Sequence, residues 1–104
     1  MTVELSSGSR WRSAVCETEV IVVRPPAEPI DLRCGGHPVI PAGDEPPAGA
    51  VLNDAFAAGT AIGKRFAHPD SGLELLCVAG GAGILSVGEV PLQIKGAKPL
   101  PSSD

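Results

Sequence analysis

The chain has 104 residues and a formal net charge of -4, with 13 glycines, 11 prolines, one Trp, two Phe and no Tyr. That length holds one domain, or two very small units packed together. Abundant turn formers and scarce aromatics exclude a helical bundle and predict short strands joined by turns. An acidic chain with no clustered Lys/Arg face also lacks the phosphate-neutralising surface that nucleic-acid binding needs.

In chain order, "MTVELSSGSRW" has no basic segment leading into an apolar core, so no secretory signal is expected. No apolar run approaches the roughly 20 residues that span a bilayer. The expected setting is the cytoplasm, away from membranes, where thiols stay reduced. A short strand carries Trp11, and after a turn comes the apolar strand "TEVIVVR". "PPAEP" lacks the N–H donors of a central strand and reads as a wide loop. "DLRC" is a third strand, followed by glycines and an extended exit through Pro38 to Pro41.

Residues 42–62 begin as a Pro/Gly linker, and "AVLNDAFAAGTAI" predicts a short helix there, weakened by Gly59. From Gly63 the pattern restarts: a strand with Phe66, the apolar strand "LELLCVA", the turn "GGAG", the strand "ILSV" and an exit through Pro91. "GGAG" is expected to supply the positive φ angles of a tight hairpin. Residues 95–104 read as an extended tail.

The restart is a repeat, and repeats take precedence in reading a chain. At one constant offset Gly8 meets Gly63, Arg10 meets Arg65, Trp11 meets Phe66, Glu19 meets Glu74 and Val23 meets Val78. After a shorter second turn, Leu32 meets Leu85, Gly35 meets Gly88, Pro38 meets Pro91 and Val39 meets Leu92. The units are then residues 1–41, a linker at 42–62, a second repeat at 63–94 and the tail.

"WRSAVCETEVIVV" and "LRCGGHPV" resemble the desulforedoxin family, which includes the N-terminal domain of desulfoferrodoxin and has a rubredoxin-like fold. That family's pattern is an aromatic, Cys-x-x-Cys-Gly, an apolar strand, then Cys-Cys-Gly-x-Pro-Met, with four thiolates around one iron. Here Cys16 and Cys34 stand at two ligand positions, while Ser13 and Gly35 occupy the other two. The second repeat puts His68, Ser71, Val87 and Gly88 there, with no ligand cysteine. The resemblance implies an all-β fold of two degenerate tandem units with pseudo-twofold symmetry, like a dimer fused into one chain. Units of roughly 40 residues cannot bury much core alone, and packing two together could replace the metal.

The resemblance brings Cys16 near Cys34. As reduced thiols they would form a collapsed knuckle; they could instead form a disulfide, or bind zinc or iron with His37 or Ser13 completing the shell. His37 otherwise reads as a turn residue before Pro38, His68 as a hydrogen-bonded turn residue, and Cys77 as a small core residue. The acids are scattered, no Ser-His-Asp spacing occurs, "GGAG" lacks the Lys-Ser/Thr of a phosphate loop, and "CGGH" has no upstream Cys-x-x partner. The expected protein is therefore non-catalytic and free of cofactor. It is an accessory or interaction subunit whose partner is another protein or a second copy. The alternative is a mononuclear iron or zinc protein using Cys16, Cys34 and His37.

Overall fold

A computed structural model describes residues 4–95; the tail expected at 95–104 lies outside the described residues from Gly96 on. Within them, ten strands run in chain order: β1 (Arg10–Arg12), β2 (Glu19–Arg24), β3 (Leu32–Cys34), β4 (His37–Pro38), β5 (Ile40–Pro41), β6 (Arg65–His68), β7 (Leu73–Ala79), β8 (Leu85–Val87), β9 (Val90–Pro91) and β10 (Gln93–Lys95). They form two antiparallel sheets, one ordered β10-β6-β7-β2-β1-β5 and the other β4-β3-β8-β9. The protein is all-β, as its turn-rich composition predicts.

Alternation sets the faces. Val20 and Val22 of β2 and Leu73, Leu75 and Cys77 of β7 are buried, and the residues between them are half-buried. Leu32 and Cys34 of β3 and Leu85 of β8 are buried against the same cluster, together with Val39, Phe66 and Leu92. One core therefore lies between the sheets, with each half of the chain contributing to it.

The two halves meet along two strand pairs. β2 runs beside β7 with Ile21 opposite Leu76, and β3 beside β8 with Arg33 opposite Ser86. Several backbone bonds occur in matched form. Gly8 donates to Val22 and Gly63 to Cys77, both at 2.8 Å. Gly35 donates to Ile84 at 3.0 Å and Gly88 to Asp31 at 2.8 Å. Gly35 and Gly88 both have positive φ, +67° and +59°, conformations that a side chain would strain.

Two expectations are corrected. The helix predicted within 50–62 is a single 3₁₀ turn, Asp54–Phe56, capped by the Asn53 side chain accepting from the Ala55 N–H at 2.9 Å. Helix propagation stops because Gly59 adopts φ +91° and Thr60 pairs with Gly81 as an isolated bridge. "GGAG" is not a tight hairpin: β7 and β8 belong to different sheets, and Gly80, Gly81 and Gly83 are absent from the positive-φ region. Those glycines are needed for space. A Cβ on Gly81 would stand 2.5 Å from Thr18 Oγ1, and one on Gly83 would stand 2.8 Å from Gly35 Cα.

Candidate thiol site

Cys16 lies in the irregular segment between β1 and β2, and Cys34 ends β3 in the other sheet. Their sulfurs are 3.9 Å apart, and both are free thiols, so the expected proximity is present. Cys34 is fully buried, while Cys16 is half-buried.

The segment carrying Cys16 is shaped by Ser13, a buried residue whose Oγ accepts from the backbone N–H groups of Val15 and Cys16, both at 3.1 Å. That is a side-chain-built turn, the local chemistry for which serine is suited. Thr18, immediately before β2, has its side chain buried and Oγ1 3.2 Å from Cys16 Sγ. From the second half, the Gly83 N–H donates to Cys16 Sγ at 3.4 Å.

Residues 50–62 strap this arrangement down. Asn53 N–H donates to the Gly35 carbonyl at 2.9 Å, and Ile84 N–H donates to the Phe56 carbonyl at 2.8 Å. Thr60 Oγ1 donates to the Gly83 carbonyl at 2.7 Å in a buried bond. The loop at 80–83 is thereby held over Cys16, and the missing side chains at Gly81 and Gly83 permit the close approach.

The two thiols differ in acidity. Burial pushes Cys16 up, but the hydroxyls of Ser13 and Thr18 and the backbone at Thr18 and Gly83 outweigh it, bringing the thiol from 9.0 down to about 7. Burial, then the neighbouring Cys16 charge, pushes Cys34 up from 9.0 to about 12, against hydrogen bonds to Thr18 and Ser13. Burial also raises Cys77, whose Sγ donates to the Ala79 carbonyl at 3.1 Å inside the core.

The two histidines among the predicted site residues make local contacts. His37 is opposite Cys34 in the β3–β4 ladder, with Nδ1 3.3 Å from its neighbour Pro38's carbonyl oxygen. His68 Nδ1 lies 2.8 Å from Ser71 Oγ within the β6–β7 turn, a local turn contact. Among the described residues, no three His, Cys, Asp or Glu side chains converge on a common point that could hold a metal.

The residues do not fit the four-thiolate centre of the desulforedoxin pattern. Ser13 Oγ is already engaged with two backbone N–H groups, and a Cβ on Gly35 would meet Leu52 Cδ1 at 2.6 Å and Val15 Cγ2 at 2.7 Å. The arrangement that remains is a dithiol with two hydroxyls and a backbone N–H around one sulfur.

Sequence reasoning missed Thr18, Thr60, Gly81 and Gly83. Thr18 had a visible signal: the repeat alignment sets it against Leu73, a polar residue where the other half buries leucine. Comparisons with protein-family models, with curated proteins and with solved structures find no match to this chain. Among the described residues no helix is long and apolar enough to cross a membrane.

Proposed function

We propose that the chain is a tandem, degenerate pair of desulforedoxin-like units working as a non-catalytic scaffold, an accessory or interaction subunit of the cytoplasm. The observation that carries this reading is the single apolar core built from both halves, in which Val20, Val22, Leu32 and Val39 pack with Leu75, Cys77, Leu85 and Leu92. These residues match pairwise in the repeat alignment, so the copies supply each other with the core that a lone unit lacks. The strand orders support duplication, because each reads the same from either edge once β1–β5 are set against β6–β10. So do the matched bonds of Gly8 and Gly63, and of Gly35 and Gly88.

The interaction role draws support from the edges. Val90 on β9 and Ile94 on β10 are 60% and 50% exposed on edge strands, whose outer backbone groups can pair with an added strand. The partner is another protein subunit or a second copy. Elemental analysis with thiol titration tests the scaffold reading. A folded, metal-free protein that tolerates chelator is expected; stoichiometric metal lost on Cys16→Ser or Cys34→Ser overturns it.

One observation favours a second reading, a mononuclear zinc or iron protein. Two thiolates about 2.3 Å from a tetrahedral ion lie about 3.8 Å apart, close to the 3.9 Å between Cys16 and Cys34. Solvent would then have to complete the coordination.

A further inference from the structure

The geometry points to a reversible dithiol–disulfide site at Cys16 and Cys34, oxidised by a hydroperoxide and reduced by a small or protein dithiol. The inference goes beyond the scaffold reading and does not depend on it, since it needs only the thiol pair and its surroundings.

Four observations carry it. The sulfurs are 3.9 Å apart, so bonding requires them to close to about 2.05 Å. Cys16 is on an irregular segment that can supply this movement, while Cys34 is fixed in a core strand. Cys16 is half-buried, whereas Cys34 and Cys77 are buried, so of the three thiols Cys16 is the one nearest to solvent. The hydrogen-bonding groups of Thr18 and Gly83 converge on Cys16 Sγ, where negative charge resides in the reactive thiolate.

The chemistry assigns the sulfurs different parts. The Cys16 thiolate attacks one oxygen of the hydroperoxide; the O–O bond breaks and the other oxygen leaves, taking a proton to become water or an alcohol. Cys16 is now a sulfenic acid. The Cys34 sulfur attacks Cys16 Sγ, the S–O bond breaks, and the departing hydroxide takes the Cys34 proton and leaves as water. Two electrons have passed from the thiols to the hydroperoxide. An external dithiol returns them by exchange through a mixed disulfide and is itself oxidised to a disulfide.

The product links the two sheets, because Cys16 precedes β2 and Cys34 ends β3. Forming it draws Cys16 Sγ towards β3 and changes its contact with Gly83, so the oxidation state is felt in the 80–83 loop and its Thr60 anchor. The switch thus connects thiol chemistry to the strap formed by residues 50–62.

The test is peroxide titration of the full-length purified protein, followed by unfolding, alkylation and peptide mapping. Loss of two of the three thiols is expected, with a Cys16–Cys34 cross-link, Cys77 still alkylated, and full recovery on adding dithiothreitol. Cys34→Ser should give a Cys16 sulfenic acid trapped by dimedone, with no intrachain cross-link. The wild-type map decides the matter even if a variant folds poorly. Retention of all three thiols, conversion of Cys16 to sulfinic acid, or disulfide-linked dimers with Cys34 still free would each overturn the proposal. So would a metal that occupies both sulfurs and protects them from peroxide.

Discussion

Replacing Thr18 by valine should make Cys16 a weaker acid with little change in shape. Threonine and valine have nearly the same volume, and residue 18 is fully buried, so the substitution removes a hydroxyl and leaves little void. That hydroxyl is 3.2 Å from Cys16 Sγ. With the thiol protonated, Sγ donates to Oγ1; with the thiolate, the hydroxyl rotor turns and donates to sulfur. Hydrogen bonds to charged groups contribute about 1.5–3 kcal/mol, or about 1–2 pKa units. Ser13 and the backbone N–H groups of Thr18 and Gly83 remain, so the lower end applies. Cys16 should rise from about 7 to about 8. Near pH 7 its thiolate fraction would fall from about half to about one-tenth, and alkylation would slow by about 5-fold. Rates of iodoacetamide alkylation across pH, with the modified site assigned by peptide mapping, measure this directly. A Thr18→Val profile that overlays the wild-type curve would refute the reasoning, since the hydroxyl would then contribute nothing to the thiolate.

Gly83→Ala should destabilise the fold by about 1–3 kcal/mol, because the new Cβ would sit 2.8 Å from both Gly35 Cα and N; urea unfolding checks it. Thr60→Val leaves the Gly83 carbonyl without its buried donor; it should cost about 1–3 kcal/mol and loosen the 80–83 loop, seen as faster amide exchange there. Stability should vary with pH in two limbs. The Cys16 thiol, lowered in the folded state to about 7, stabilises the fold progressively as pH rises from about 7 to its unfolded value near 9. Cys34, raised to about 12, favours folding below pH 9 and loses that contribution between about 9 and 12. The sulfurs titrate as a coupled pair, so Cys16→Ser should flatten the lower limb and also soften the upper one in thermal melts across pH. Finally, Leu32→Ala and Leu85→Ala remove matched core residues, both buried. Each should cost about 2–5 kcal/mol in denaturant unfolding, and a negligible effect at either position would count against the shared core.

Strand positions were legible in the sequence because alternation in "TEVIVVR" and "LELLCVA" is a local signal that burial on one face imposes. The nearness of Cys16 and Cys34 was legible through the knuckle resemblance, and the turn role of His68 through its neighbours. The interval 50–62 was harder. Its apolar spacing suits a helix, but the chain spends those residues bonding Asn53, Phe56 and Thr60 to the glycine turns, a tertiary demand that overrides weak propensity. "GGAG" misled for a related reason, since glycine serves both positive φ and close packing, and the letters do not distinguish the two.

The sequence by itself determined an all-β chain and the positions of its main apolar strands, since these follow from period and local backbone chemistry. The nearness of Cys16 and Cys34 came from the family resemblance and not from spacing. Only the tertiary structure decided what surrounds those sulfurs. Thr18 is two residues from Cys16, but Gly81 and Gly83 come from the far half of the chain, and Thr60 from the strap between. The acidity of Cys16 is the balance of burial against hydrogen-bonding groups delivered by segments distant in sequence. That balance exists only once β2 lies beside β7 and β3 beside β8.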